Sequence, residues 1–314
     1  MRVIFLSTPD CGCPYLPAIE AAGGEIVAVI TQPDRPRGRG RLPAAPPAKV
    51  AALACGLRVL QPPTCRDEAL WEQLGALRPD IVLAVAYGQI LCSGFLALPR
   101  VAALNVHYSL LPRLRGAAPV QHALLQGLTE TGATLQHLAL ELDAGDIVAQ
   151  ATVPIGPDED AGTLTDRLTD VGCELVREAL PRVMAGTASR APQDEALVSW
   201  APRLTKQDGA LDWAEPARAL VNRVRATNPW PGAYCYQGER RLGVLGARRV
   251  EVEASGARPG TIVAITAGSG PAVATGEGAV ELLIVQPQGR KAMTGAEYLR
   301  GARLAPGDLL QAGR

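Results

Sequence analysis

No stretch of this sequence approaches the roughly 18 consecutive apolar residues of a membrane-spanning helix, which argues against a membrane protein. The opening Met-Arg-Val-Ile-Phe-Leu-Ser-Thr-Pro-Asp carries a short apolar run with no longer hydrophobic region or cleavage site. No secretory leader is therefore expected, and the cytoplasm is the expected location. Net charge is missing too: 31 Lys plus Arg balance 31 Asp plus Glu, so the chain as a whole exerts no pull on nucleic acid or acidic lipid. Low-complexity tracts are absent, and 47% hydrophobic residues suffice for a full core. The seven cysteines (Cys11, Cys13, Cys55, Cys65, Cys92, Cys173, Cys235) are odd in number and scattered, which excludes a disulfide framework and points to reduced thiols. Cys11-Gly12-Cys13 has no second ligand pair at zinc spacing, so no metal is expected. The first strand-to-helix turn, Ser7-Thr8-Pro9-Asp10-Cys11-Gly12, lacks G-x-G-x-x-G. Without those glycines the backbone has no close approach to a pyrophosphate, and a nicotinamide cofactor is excluded.

What is present points to two domains. At 314 residues the chain is long for one compact unit. Residues 1–205 carry 17 basic against 21 acidic side chains, whereas 206–314 carry 14 against 10. Nearly all the positive charge is arginine, since lysine occurs only at Lys49, Lys206 and Lys291. The first half alternates apolar runs with helical patterns, the signature of parallel β-α-β units. Strands are expected at Arg2–Leu6, Ile26–Ile30, near Val59, and at Ile81–Val85, Ala102–Val106, Thr134–Leu138 and Ile147–Val153. Helices are expected at Leu16–Ala22, Ala48–Ala54, Glu68–Leu77, Val120–Leu125 and Thr163–Met184. The α/β domain spans 1–188 and a small, polar linker 189–206. In 207–314 a helix at Pro216–Thr227 precedes short β segments (Ala233–Tyr236, Leu242–Leu245, Thr261–Ile265, Val280–Val285) separated by glycine turns. That spacing suggests an antiparallel barrel of the OB type.

Chemistry concentrates in Asn105-Val106-His107-Tyr108-Ser109-Leu110-Leu111-Pro112-Arg113-Leu114-Arg115-Gly116-Ala117-Ala118-Pro119. A strand alternates its side chains, so Asn105 and His107 share a side at its carboxyl end, where open α/β sheets bind ligands. An amide donor beside a titratable imidazole suits a carbonyl that becomes a tetrahedral oxyanion. Downstream, Leu142-Asp143-Ala144-Gly145-Asp146 forms a tight loop between two strands and offers Asp143 as a third member.

These segments resemble the 10-formyltetrahydrofolate-dependent formyltransferases: Asn-x-His, then Ser-Leu-Leu-Pro-x-x-Arg-Gly-Ala-x-Pro, then Leu-Asp-x-Gly-Asp. The resemblance runs through almost the whole chain to the branch whose amine acceptor is methionyl-tRNA. Ser7–Asp10, Thr31–Gly40 and Arg225–Gly232 support that branch. It implies a Rossmann-like N-terminal formyltransferase domain with a parallel-rich sheet and a C-terminal OB-like β-barrel domain that binds tRNA. It implies that Asn105, His107 and Asp143 are catalytic and that Ser109, Leu110, Leu111 and Pro112 bind folate. By the same resemblance 10-formyltetrahydrofolate is the co-substrate, initiator methionyl-tRNA the partner, the enzyme a monomer, and no metal or membrane is needed. The chain departs from the family pattern at Ser7, Cys11, Tyr108 and Leu114, where Gly, Phe, Gly and Trp are frequent.

Arg35, Arg37, Arg39 and Arg41 lie in a Gly- and Pro-containing stretch without an apolar face, which alone reads as a solvated loop. The resemblance makes it a clamp on the tRNA acceptor stem. His122 and His137 read as structural, Asp146 as a brace of its turn through backbone hydrogen bonds, and Asn228–Gly232 as a rigid turn anchored by a buried indole. Two related readings use the same donor: an N-formyltransferase for an amino sugar, and the hydrolase portion of formyltetrahydrofolate dehydrogenase. A non-catalytic RNA-binding module is the reading from a different class, and Asn105, His107 and Asp143 together argue against it.

Overall fold

The computed structural model describes residues 1–37, 42–252, 256–266 and 268–313. They form two compact units: Met1–Pro119 with Glu130–Pro154 and Thr165–Ala201, and Val120–Thr129 with Ile155–Leu164 and Pro202–Arg314. Among the described residues no helix is long and apolar enough to cross a membrane.

The elements run β1 (Arg2–Ser7), α1 (Tyr15–Ala21), β2 (Glu25–Ile30), β3 (Arg35–Arg37), β4 (Leu42–Ala44), α2 (Pro47–Ala54), β5 (Val59–Leu60), α3 (Glu68–Gly75), β6 (Ile81–Val85), α4 (Ser93–Leu96), β7 (Ala102–His107), α5 (Pro119–Leu125), β8 (Glu130–His137), β9 (Ile147–Pro154) and α6 (Ala161–Met184). The first unit is built on a seven-stranded sheet in the order β5-β2-β1-β6-β7-β8-β9. From β5 to β7 neighbours are parallel, and β8 and β9 run antiparallel. β1 and β6 are near-continuous apolar runs because both faces of these central strands are covered. Ile4, Leu6, Ile30, Leu74, Val82 and Phe95 belong to one packed cluster of this unit. The chain leaves β1 toward β2 on one side and returns to β6 on the other. That reversal opens a crevice at the carboxyl ends of the strands, and β7 delivers Asn105 and His107 beside it.

In the second unit α7 (Ala217–Thr227) is followed by β10 (Ala233–Gln237), β11 (Arg240–Val250), β12 (Ile262–Ile265), β13 (Pro271–Ala274), β14 (Ala279–Pro287), β15 (Met293–Thr294) and α8 (Gly295–Ala302). Its antiparallel sheet has the order β10-β11-β14-β13-β12, with β15 on β14. Leu220 and Val224 on one face of α7 share a core with Leu242, Val244, Val273, Leu282, Val285 and Tyr298. A capping box starts α8: Thr294 Oγ1 accepts from Glu297 N–H (3.2 Å) and Glu297 Oε2 accepts from Thr294 N–H (2.8 Å).

Two local expectations change. The turn Asn228–Gly232 does not bury its indole: Trp230 is 53% exposed. Polar contacts anchor the turn instead, with Asn228 Nδ2 donating to Asp160 Oδ2 (2.6 Å) and Gly232 N–H to Thr227 O (2.8 Å). Just upstream, the Arg225 guanidinium donates to the carbonyls of Glu159 (2.7 Å) and Gly156 (2.6 Å). The arginine-rich stretch is not all loop, because Arg35–Arg37 pairs with Leu42–Ala44 as an antiparallel ladder. The prolines Pro36 and Pro43 face each other across that ladder, and the residues between lack the apolar alternation by which a strand is read.

Candidate active site

β7 ends at His107, whose ring is buried between two fixed neighbours. Nε2 lies 2.8 Å from the Leu114 carbonyl. A carbonyl only accepts, so Nε2 carries the hydrogen and Nδ1 is the nitrogen left to gain or lose a proton. Nδ1 faces Asp143 Oδ2 at 3.7 Å, too long for a hydrogen bond but within ion-pair reach once the ring is protonated. Two residues earlier on the same strand, Asn105 is half-buried. Its side-chain amide carries two N–H donors of the kind a ligand oxygen would accept from. The structure therefore keeps Asn105 and His107 two residues apart at the carboxyl end of β7, as the strand pattern implies, and brings Asp143 from the loop after β8 to face His107.

Asp143 is held from several sides. Oδ2 accepts from Gly116 N–H (2.9 Å) and Oδ1 from Gln136 Nε2 (3.2 Å). Its backbone sits at φ 52°, a left-handed conformation that is uncommon outside glycine. Gly145, two residues on, is required by space: a Cβ there would lie 1.8 Å from the His137 carbonyl oxygen. Gly116 is required by both space and conformation, with φ 129° and a Cβ position 2.5 Å from the Ala201 carbonyl oxygen. The glycines of the two motifs thus let the chain pass close enough to present Asp143.

The segment Ser109–Pro112 follows directly. Ser109 Oγ donates to Arg113 O (2.6 Å), and Thr134 Oγ1 donates to Ser109 O (2.6 Å) while accepting from Leu111 N–H (3.2 Å). Gln150 Nε2 donates to Leu111 O (2.8 Å). Ser109 and Leu111 are buried, and Leu110 and Pro112 keep accessible surface. Of the four, the latter two have a face to offer a planar ligand, and the former two hold the backbone in place.

Thr134, Gln136 and Gln150 carry this support, and no motif in the sequence marks them. Their signal is the alternation of β8: Thr134 lies opposite His107 and Gln136 opposite Asn105, both polar and buried. Asp146 braces its turn by another route than expected, since its carboxylate accepts from the Arg190 guanidinium (2.6 Å). His122 Nε2 lies 3.0 Å from the Pro202 carbonyl, a structural contact. Of the departures from the family pattern, Tyr108 is held by its hydroxyl, which bonds Thr169 Oγ1 (2.9 Å) and meets Tyr15 OH at 3.3 Å. Burial pushes the adjacent Cys11 thiol up to about 12, so it stays protonated. Ser7 Oγ is buried with no partner among the described residues.

Arg35 is exposed on β3, and the backbone of Arg37 continues that strand. Arg39 and Arg41 lie outside the described residues. The base of this hairpin is tied to the first unit, where Lys49 Nζ donates to Asp34 (2.9 Å) and to Gln61 Oε1 (2.7 Å). Hydrogen bonds from Gln61 and Lys49 hold the Asp34 carboxyl below the usual carboxylate range. Among the described residues no group of three or more His, Cys, Asp or Glu side chains is placed to hold a metal ion.

Residues 1–180 match the family model "Formyl transferase", and residues 203–303 match "Formyl transferase, C-terminal domain". A methionyl-tRNA formyltransferase of Moorella thermoacetica is 44% identical over 310 residues, covering 99% of each chain. That of Halorhodospira halophila is 46% identical over 310 residues, again covering 99% of each. Among solved structures, HypX from Aquifex aeolicus superposes with a TM-score of 0.66 at 20% identity, over 98% of this chain and 48% of that one, a likeness of fold.

Proposed function

This chain belongs to the formyl transferase family, and we propose that it moves the formyl group of 10-formyltetrahydrofolate to the free α-amine of methionyl-tRNA, giving N-formylmethionyl-tRNA for translation initiation. The observation that carries the reading is near-full-length identity of 40–46% to methionyl-tRNA formyltransferases. Asn105, His107 and Asp143 gathered at the end of β7 are the chemistry that such a transfer needs.

In this reading the uncharged amine attacks the formyl carbon and forms the new C–N bond, while the formyl oxygen takes up negative charge. Asn105 Nδ2 and protonated His107 Nδ1 donate to that oxygen. With Nε2 committed to Leu114, Nδ1 is the nitrogen available for the task. Asp143 faces the imidazolium and takes the proton from the attacking amine, directly or through water. Collapse breaks the bond between the formyl carbon and N10, and the proton ends on N10. No covalent bond to the enzyme forms. Leu110 and Pro112 form a wall of the folate site, on a backbone fixed by Ser109, Leu111, Thr134 and Gln150.

The tRNA is held by Arg35, Arg37, Arg39 and Arg41 at the acceptor end and by the net-positive C-terminal domain, 207–314, along its backbone. The enzyme acts in the cytoplasm as a monomer. Converting Arg37, Arg39 and Arg41 to alanine is expected to raise KM for methionyl-tRNA and leave the Kd for folate unchanged. Each lost phosphate contact should lower the slope of log affinity against log salt by about 0.9. An unaltered KM and slope across a salt series would assign this stretch to solvent and remove it from the tRNA site.

The function is tested by supplying 10-formyltetrahydrofolate and methionyl-tRNA, hydrolysing the ester and recovering the amino acid. N-formylmethionine is expected. Recovery of methionine alone, with formylation of an amino sugar nucleotide in parallel, would replace the reading with that of a sugar N-formyltransferase.

A further inference from the structure

We infer that Gln193 is a positioning residue that sets the Asp143 carboxylate against His107, an inference that rests on the proposed roles of those two side chains. Gln193 lies between the two family matches, outside both, in a stretch whose small and polar composition reads as a linker. Its side-chain amide is instead committed on both sides. Nε2 donates to the carbonyls of Asp143 (2.8 Å) and Gly145 (2.8 Å), and Oε1 accepts from Arg115 Nε (3.0 Å) and Nη2 (2.9 Å).

Those partners are the ones that matter to the site. Arg115 is buried at 3% exposure, and its main chain lies between the two backbone groups that contact the reactive side chains. The residue before it offers the Leu114 carbonyl to His107 Nε2, and the residue after it offers Gly116 N–H to Asp143 Oδ2. One amide therefore ties the loop that carries Asp143 to the segment that fixes both His107 and the Asp143 carboxylate. Gln193 Nε2 also lies 3.3 Å from Gln136 Oε1, an arrangement that turns the other end of that amide, Nε2, toward Asp143 Oδ1. The left-handed backbone of Asp143 is costly for a residue with a Cβ, so the loop needs such a clamp to hold its shape.

Neighbouring residues of the same stretch also bind this segment. Ser199 Oγ accepts from Leu114 N–H (2.9 Å), Ser199 O from Arg115 N–H (2.9 Å), and Arg115 O from Ala201 N–H (2.8 Å). Glu195 pairs with the Arg115 guanidinium (2.7 Å) and offsets its buried charge. Arg115 thus retains a carboxylate partner when Gln193 is changed, which separates fold from positioning in an experiment.

Two variants of the full chain test the inference. Gln193→Leu removes every polar contact. Gln193→Glu keeps an acceptor for Arg115 and removes the donors to the Asp143 and Gly145 carbonyls. Both are expected to lose about tenfold or more in kcat, with KM for each substrate within about threefold, because displaced reacting groups slow chemistry more than binding. Gln193→Glu should keep its Tm near that of the parent. Combined with Asp143→Asn, Gln193→Leu should add no further loss, since both act through one carboxylate. The inference is overturned if Asp143→Asn is slow yet the Gln193 variants keep kcat within about threefold, or if the losses multiply. It is equally overturned if lost turnover merely follows lost Tm in both variants. Normal turnover in Asp143→Asn itself would instead bring down the proposed site.

Discussion

Replacing His107 with alanine lowers kcat for formyl transfer by at least about 10²-fold while tRNA affinity stays near that of the parent. Such a loss corresponds to about 2.7 kcal/mol of transition-state stabilisation. The ring is locked by the Leu114 carbonyl on Nε2, so its Nδ1 proton is aimed rather than free to rotate away. Asn105→Ala should cost a comparable factor, since it removes the other donor. The site lies where the carboxyl end of β7 meets the crevice, and nothing in either change touches the arginines proposed to hold the tRNA. Near-normal turnover in purified His107→Ala, with folate and tRNA both saturating, would remove the imidazole from the mechanism.

Gly145→Ala is expected to lower kcat by about 10²-fold although residue 145 carries no reactive group. Its Cβ would sit 1.8 Å from the His137 carbonyl oxygen, so the loop has to retreat by more than an ångström from the end of β8. Asp143 is two residues away and moves with it, and a misplacement of that size costs about two orders of magnitude. Overpacking against backbone should also cost about 1–3 kcal/mol of stability, read as a lower Tm. Gly301→Ala in α8 is the matched control: beyond its own chain neighbours and helix backbone, no described atom lies within 4 Å of its added Cβ, and neither kcat nor Tm should fall. A Gly145→Ala enzyme with parental kcat would show that the loop tolerates the shift and that its position is not critical.

The parts of the fold legible in the sequence are those with a strong period. β1, β6 and β7 are short apolar runs bounded by turn residues, and α6 and α7 carry a 3.6-residue pattern; each forms close to its expected span. Asn105 and His107 are legible because alternation along one strand is a local rule. The hairpin at Arg35–Ala44 is not, because prolines and arginines hide its period. β8 starts earlier than expected, at Glu130, because Glu130, Thr131 and Gly132 hide the apolar alternation there, and its Thr134 and Gln136 are polar yet buried. Those same residues hold Asp143 and the Ser109–Pro112 backbone. Their role is decided by which strands become neighbours, and antiparallel pairing of β8 with β7 is a long-range choice that composition does not encode. Gln193 is harder still. It reaches Asp143 from fifty residues downstream, in a stretch whose composition reads only as a linker. Trp230 illustrates the converse error: an indole between prolines suggests an apolar anchor, but Asn228 and Arg225 supply the anchorage through polar groups.

The measurement that tests the central claim most directly is kcat/KM for formyl transfer from 10-formyltetrahydrofolate, compared between methionyl-tRNA, free methionine and an amino sugar nucleotide. The site handles only the amine and the formyl group, so any advantage of the tRNA ester reflects binding energy from the nucleic acid, which is used to orient the amine. The expected result is a preference for methionyl-tRNA of at least about 10³-fold over free methionine, with no turnover of the amino sugar. That preference should shrink as salt is added. Equal rates with methionyl-tRNA and free methionine, or faster formylation of the amino sugar, would contradict the account.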